Sequence, residues 1–203
     1  MSSTSDLQEP VRAGHQRKDP TARRTEIVDA AIDIFGRQGY RQGSLREVAA
    51  AVGLTVPGVL HHFPTKEALL AAALDQRNHR RRDQLQTVLA DQGVIALGRY
   101  LLTENLAYPG LMRLIVTLSA EATDPDHPAR QYFLDRYQVT HEVIKDGFAA
   151  DISAGRAPGH LDPEHATVAW VTICDGLQLQ YLLRPGMDLI GAYDQLTSTL
   201  LGG

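Results

Sequence analysis

The chain has 203 residues and a formal net charge of −4, with 43% hydrophobic and 22% charged residues. This composition is typical of a globular protein with a buried core, and a single cysteine, Cys174, excludes an intrachain disulfide. No apolar run approaches the ~20 residues that span a membrane, so we expect a soluble, cytoplasmic protein. The charge is uneven, because residues 12–82 hold 13 Lys/Arg against 7 Asp/Glu, whereas residues 83–203 hold 7 against 15. A basic first third favours a polyanionic partner for that end, although a merely solvated face gives the same count.

Start signals for helices come early in the chain. Residues 1–18 are too polar to fold alone, so we expect a disordered arm. The Asp19-Pro20 pair is an N-cap followed by proline at the first helical position, and it predicts a first helix that ends at Gly39. A capping box, Ser44 to Glu47, begins a second helix.

The remaining helices are predicted from caps and breaks. Thr55 caps a short third helix, and a fourth begins after Pro64 and runs to about Asp91. Beyond Gly93 the segments are longer and more apolar, and turn signals divide them into helices at roughly 94–107, 109–122, 128–154, 163–184 and 188–201. The turn with Asp124, Asp126 and His127 is interpreted as a solvated loop rather than a metal site. We therefore predict an all-α protein of about nine helices.

The second and third helices have the spacing of a helix-turn-helix. Ala49 is small where the two helices approach, Gly53 takes the turn four residues later, and Val59 adds an apolar contact ten residues after Ala49. A small helical hairpin without a role in DNA binding shows the same spacing, so the pattern alone leaves that alternative open.

The stretch Ser44–Leu69 resembles the DNA-binding domain of the TetR family of bacterial repressors, and Ile27–Tyr40 is similar to the first helix of that family. The resemblance implies a helix-turn-helix domain over residues 19–65. It also implies a C-terminal bundle over residues 66–203 for effector binding and dimerisation, with residues 66–91 as the connector helix. The implied function is that of a homodimeric repressor that a small-molecule effector releases from a pseudo-palindromic operator.

Family positions carried over to this chain give the candidate DNA contacts. Many relatives have lysine or arginine and then threonine where this chain has Val56 and Gly58. Neither residue makes a bidentate base contact, but valine can pack on a thymine methyl and glycine lets the backbone come close. Arg46 is then the best candidate for a base or phosphate contact. Tyr40 is a further candidate, although it can instead seal the small core. The full candidate set is Ser44, Arg46, Thr55, Val56, Pro57, Gly58, His61, Lys66 and Tyr40.

For the C-terminal part, the sequence gives two further sets of candidates. Residues among the middle helices are expected to line an effector pocket: Met112, Ile115, Phe133, Tyr137, His141, Trp170 and Cys174. Helix 163–184 is apolar on more than one face, so a second copy of the last two helices is expected to cover it. The predicted dimer contacts are Leu177, Tyr181, Leu189, Tyr193 and Leu196.

Two other classes of function are alternatives for an all-α chain of this length. An activator or dual regulator of the same fold has the same sequence features. An all-α metalloprotein or enzyme would need a Glu-x-x-His pair in the bundle or a nucleophile motif, and the sequence has neither. We therefore expect no catalytic site, no metal and no cofactor.

Overall fold

The computed structural model describes residues 19–202, except for the side chains of residues 77–81. Within that range the regular secondary structure consists of α-helices without strands, which confirms the all-α prediction. The helices are α1 (Pro20–Gln38), α2 (Leu45–Ala51), α3 (Val56–His62), α4 (Lys66–Ala107), α5 (Pro109–Glu121), α6 (Arg130–Ser153), α7 (Pro163–Leu183) and α8 (Leu189–Leu200). The predicted arm over residues 1–18 lies outside the described residues. None of the described helices is long and apolar enough to cross a membrane.

A kink divides α4 at Gly93, where the sequence predicts a break between two helices. The φ angle of Gly93 is +85°, a conformation that glycine adopts without a steric penalty. Beyond the kink, the Val94 N–H donates to Oδ2 of the buried Asp151 at 2.8 Å. The other carboxylate oxygen of Asp151 accepts from Nε of Arg156, also at 2.8 Å. Asp151 therefore caps the second half of α4 and is paired with a cation. With α4 counted as two segments, the fold has nine helical segments over residues 19–202.

Two hydrophobic cores hold the molecule together. The first combines α1–α3 with the beginning of α4, but it also includes Leu111, Leu114 and Leu118 of α5. The second core joins the later part of α4 to α6, α7 and α8. α1 and α5 approach so closely that a Cβ at Gly36 would lie 2.7 Å from the carbonyl oxygen of Gly110. The first core therefore extends past the domain boundary that the sequence predicts at residue 65.

Candidate nucleic-acid interface

Local hydrogen bonds define the ends of α2 and α3. Ser44 Oγ accepts from the Glu47 N–H at 3.3 Å, and Oε2 of Glu47 accepts from the Ser44 N–H at 2.9 Å, which completes the predicted capping box. Thr55 Oγ1 accepts from the Gly58 N–H at 3.2 Å and caps α3. The turn between the two helices contains Gly53 with φ of +66°. The helix-turn-helix therefore forms as the sequence predicts.

Buried apolar residues fix the angle between these two short helices. Val48 and Ala49 of α2 and Val59 of α3 are all buried in the first core. Phe63, which follows α3, is buried with them. The rest of α3 is therefore held as a projection on the surface.

Most of the candidate DNA contacts lie on that projection or beside it. Arg46, Thr55, Pro57 and His61 are exposed. Val56 and Gly58 are half-buried, as is Ser44. The Ser44 hydroxyl donates to Oε2 of Glu47 at 2.8 Å, so its proton is already used within the chain.

Two other candidates turn inward. Tyr40 is only 4% exposed, and its hydroxyl donates to Oε1 of Glu67 at 2.8 Å. Lys66 Nζ donates to the Tyr40 carbonyl oxygen at 2.5 Å and lies 4.3 Å from the centre of the Tyr40 ring. Burial raises the pKa of the Tyr40 phenol and lowers the pKa of the Lys66 ammonium group. Tyr40 therefore seals the core, and its position does not support the predicted DNA contact.

An arginine that the sequence reasoning missed supports the end of α3. Arg24 on α1 donates from Nη1 to the carbonyl oxygen of His62 at 2.7 Å. Its guanidinium carbon also lies 4.0 Å from the centre of the Phe63 ring. Burial and the neighbouring cations lower the pKa of the His62 imidazole. Arg24 thus anchors the C-terminal end of α3, although no spacing rule relates it to a residue 38 positions away.

The predicted solvated loop is instead a contact with the DNA-binding part. His127 is buried, and its ring packs edge-on against Tyr40 with 5.5 Å between the ring centres. Glu121 Oε2 accepts from the Tyr40 N–H at 3.2 Å, and Asp124 forms an ion pair with Arg41. The prediction of a solvated loop is wrong for His127 and Asp124, which have partners on the segment after α1, whereas Pro125, Asp126 and Pro128 are exposed.

The predicted effector residues separate into two groups. Met112, Phe133, Trp170 and Cys174 are buried, whereas Ile115, Tyr137 and His141 are partly exposed. Of the buried group, Trp170 has a structural role, since its Nε1 donates to the Tyr193 hydroxyl, which donates onward to the Ile95 carbonyl oxygen, each at 2.9 Å.

A cleft between α6 and α7 is lined by two of the partly exposed candidates, Tyr137 and His141, which both lie on α6. It has a volume of about 390 Å³ and is lined by Tyr137, Gln138, His141, Glu142, Lys145 and Glu164. At one side of it, the Tyr137 hydroxyl donates to Oδ2 of Asp175 at 2.6 Å. Asp175 keeps exposed surface, but desolvation by the groups packed around its carboxyl group raises the pKa of that group above its ordinary value.

Three of the predicted dimer contacts are placed in the chain's own core. Leu177, Leu189 and Tyr193 are buried in the second core, so they present no surface to a partner. Tyr181 is half-buried and Leu196 is exposed. The exposed apolar side chains on the same two helices are Val168, Leu179, Leu183 and Leu196.

The fold and the projecting α3 define a helix-turn-helix protein with a helical C-terminal part. Residues 27–73 match the family model described as "Bacterial regulatory proteins, tetR family". The chain is 30% identical over 186 residues to the probable HTH-type transcriptional regulator ArpR of Pseudomonas putida, and the match covers 87% of this chain and 88% of ArpR. It is 29% identical over 185 residues to the HTH-type transcriptional regulator TtgR, also of Pseudomonas putida, with the same coverage of 87% and 88%.

A solved structure of the same architecture is the transcriptional regulator FadR of Bacillus subtilis in complex with stearoyl-CoA. It has a TM-score of 0.73 and 14% sequence identity, with 88% of this chain and 98% of that chain covered. This chain belongs to the TetR family and is a DNA-binding transcriptional regulator.

Proposed function

We propose that this regulator is a homodimeric repressor that binds a pseudo-palindromic operator and leaves it when a small molecule binds the C-terminal part. The observation that carries the proposal is the exposed α3, which is capped by Thr55 and supported from α1 by Arg24. A helix presented in this way would enter the major groove with its N-terminal residues towards the base edges.

The DNA contacts that the geometry favours lie on α2 and α3. Arg46 near the start of α2 and His61 in the last turn of α3 are both exposed, and they offer a guanidinium and an imidazole group to a partner. Ser44 and Lys66 stay predicted phosphate contacts, although each already has a hydrogen-bond partner within the chain. In a dimer, two copies of α3 would lie ~34–36 Å apart, one turn of DNA, and this spacing implies a pseudo-palindrome.

Dimerisation is proposed through the exposed apolar side chains of α7 and α8. One stripe along α7 carries Val168, Leu179 and Leu183. Eleven residues separate the first two and four separate the last two, so all three lie on the same side of the helix. Leu183 is 74% exposed and lies on the same stripe as two further exposed apolar side chains, and such a grouping is typical of a protein–protein contact. An isologous pair of these helices would cover the stripe with its own copy, in a four-helix contact.

The effector site is proposed at the cleft between α6 and α7 and the core beneath it. Tyr137 and His141 line the cleft, and Tyr137 also packs against the first core, which includes Phe133. A ligand that displaces Tyr137 would therefore disturb the core that α1 and α5 share. The FadR structure of Bacillus subtilis holds stearoyl-CoA, which supports a small molecule as the effector class.

The experiment is selection from a random DNA pool, followed by a salt titration of the enriched sequence and sedimentation of the complex. We expect a pseudo-palindrome, a dimer on DNA, and an affinity that falls steeply with salt because lysine and arginine displace counterions from phosphates. Arg46→Ala should weaken binding, whereas Arg113→Ala, an exposed arginine on α5, serves as the charge-matched control. Absence of any enriched sequence would overturn the proposal.

A further inference from the structure

The first turn of α3 offers few hydrogen-bonding groups to a partner. The Gly58 N–H is already taken by Oγ1 of Thr55 at 3.2 Å, and Pro57 has no N–H. Val56 is half-buried against the first core, and Pro57 beside it is exposed. The part of α3 that faces a major groove is therefore mainly apolar.

Glycine at position 58 is not required by the fold. The described glycines with positive φ include Gly53 in the turn but not Gly58. A Cβ at position 58 would meet Thr55 Oγ1 at 3.4 Å and Leu54 Cδ2 at 3.5 Å, which are ordinary van der Waals contacts. Glycine within a helix is less stable than alanine, so the chain gains no stability from this choice. The fold therefore tolerates a side chain at position 58, and glycine leaves the first turn of α3 without one.

We propose that α3 reads DNA through an apolar tip formed by Val56, Pro57 and Gly58, placed against thymine 5-methyl groups. Gly58 is the specificity-determining residue, because the missing Cβ lets the helix backbone reach the base edges. Thymine is the base that presents a methyl group in the major groove, so an apolar tip in close contact distinguishes it from cytosine. The inference rests on the proposed function, since it requires that α3 enter the groove.

Arg46 and His61 have a different task in this arrangement. Both are exposed and stand outside the tip, so they hold the helix on the phosphate backbone. Sequence preference then comes from shape and methyl contact at the tip and not from a bidentate hydrogen bond.

The first test replaces each thymine of the selected operator in turn with uracil, which removes only the 5-methyl group. At the thymines that face the tip, we expect the affinity at fixed salt to fall about fourfold for each buried methyl group. Thymines outside the two half-sites serve as controls and should tolerate the change. An operator that tolerates uracil at every position would overturn the inference.

The second test is Gly58→Ala, which should keep or raise the midpoint of thermal unfolding while the DNA affinity falls about tenfold or more, since an added methyl overpacks a close contact. Gly110→Ala is the matched control, because a Cβ at this helix start meets no atom within 4 Å. The control should leave the affinity unchanged.

The outcomes separate this inference from the proposed function. Wild-type affinity in Gly58→Ala, or a fall in its thermal midpoint, would overturn the role of Gly58 and leave the repressor intact. A wild-type chain that selects no DNA would overturn the proposed function, and the inference would fall with it.

Discussion

The helix-turn-helix depends on contacts between residues close in sequence. The C-terminal layer, which is formed by α6, α7 and α8, depends on contacts between residues far apart in sequence. In α2 and α3, caps and the turn involve residues two to five positions apart, such as Ser44 with Glu47 and Thr55 with Gly58. In the C-terminal layer, the decisive contacts join distant positions, such as the Tyr193 hydroxyl with the Ile95 carbonyl oxygen, 98 residues apart. Local contacts are visible in a sequence, whereas distant ones depend on the whole fold.

The largest expected effect tests whether the two regions unfold separately. Phe35→Ala removes a fully buried ring from the first core and should cost about 3–5 kcal/mol of unfolding free energy. Because α5 shares that core with α1, we expect a single urea transition by both fluorescence and circular dichroism. Phe148→Ala in the second core is the matched variant. Two separate transitions in either variant would show that the regions are independent.

A smaller effect is expected at the kink of α4. Gly93→Ala forces alanine into a φ of +85° and places its Cβ 2.5 Å from Asp151 Oδ2. The strain should cost about 1–3 kcal/mol, measured by denaturant unfolding. Gly155→Ala has a φ of +71° with no atom within 4 Å of the added Cβ, so it measures the backbone strain alone. Equal losses in the two variants would mean that the contact with Asp151 adds nothing.

Removal of a helix cap compares the two regions directly. Ser44→Ala at α2 and Asp162→Ala at α7 each remove an N-cap and should each cost about 1 kcal/mol of unfolding free energy. Only Ser44→Ala should also reduce DNA affinity, because α2 positions α3. Equal DNA affinity in both variants would contradict the assignment of α2 and α3 as the interface.

The smallest effect concerns a carboxyl group in the C-terminal layer. Desolvation raises the folded-state pKa of Asp175 above its ordinary value of 3.8, so the charged form is less stable in the native state. Asp175→Asn should therefore stabilise the fold slightly at pH 7 while it still accepts from Tyr137. The gain should shrink as the pH falls through the folded pKa and vanish below the unfolded pKa. Unfolding in urea at pH 7 and at pH 3 measures the gain in unfolding free energy at each pH. A gain that is the same at both pH values would contradict the pKa shift as its cause.

The positions of the helices could be predicted from the sequence, but the helix faces that are buried or exposed in the C-terminal part could not. An N-cap residue bonds to a backbone N–H within the same turn, so its signal is local. The helix starts at Asp19, Ser44 and Thr55 could therefore be predicted. The same approach assigned Leu177 to a dimer contact, although it lies in the chain's own core. α7 is apolar on several faces, and periodicity alone does not distinguish the face that meets α6 and α8 from the face left exposed.

The partners of His127 were equally hidden from the sequence. Its ring meets Tyr40, and the four helices α2 to α5 lie between the two residues in chain order. Two prolines and two aspartates around it are typical of a solvated turn, so composition favours the wrong environment. Such contacts follow from how α5 lies along α1, which no local signal specifies.

The shared first core has a consequence for exchanging parts between relatives. A chimera that joins residues 1–65 of this chain to a foreign C-terminal part would leave α1 without Leu111, Leu114 and Leu118 of α5. It would also lose the acceptor on Glu121 for the Tyr40 N–H. A transplant of operator preference should therefore exchange α5 together with the first three helices, or confine itself to the surface of α3. The module that can be inherited or engineered as one piece is discontinuous along the chain.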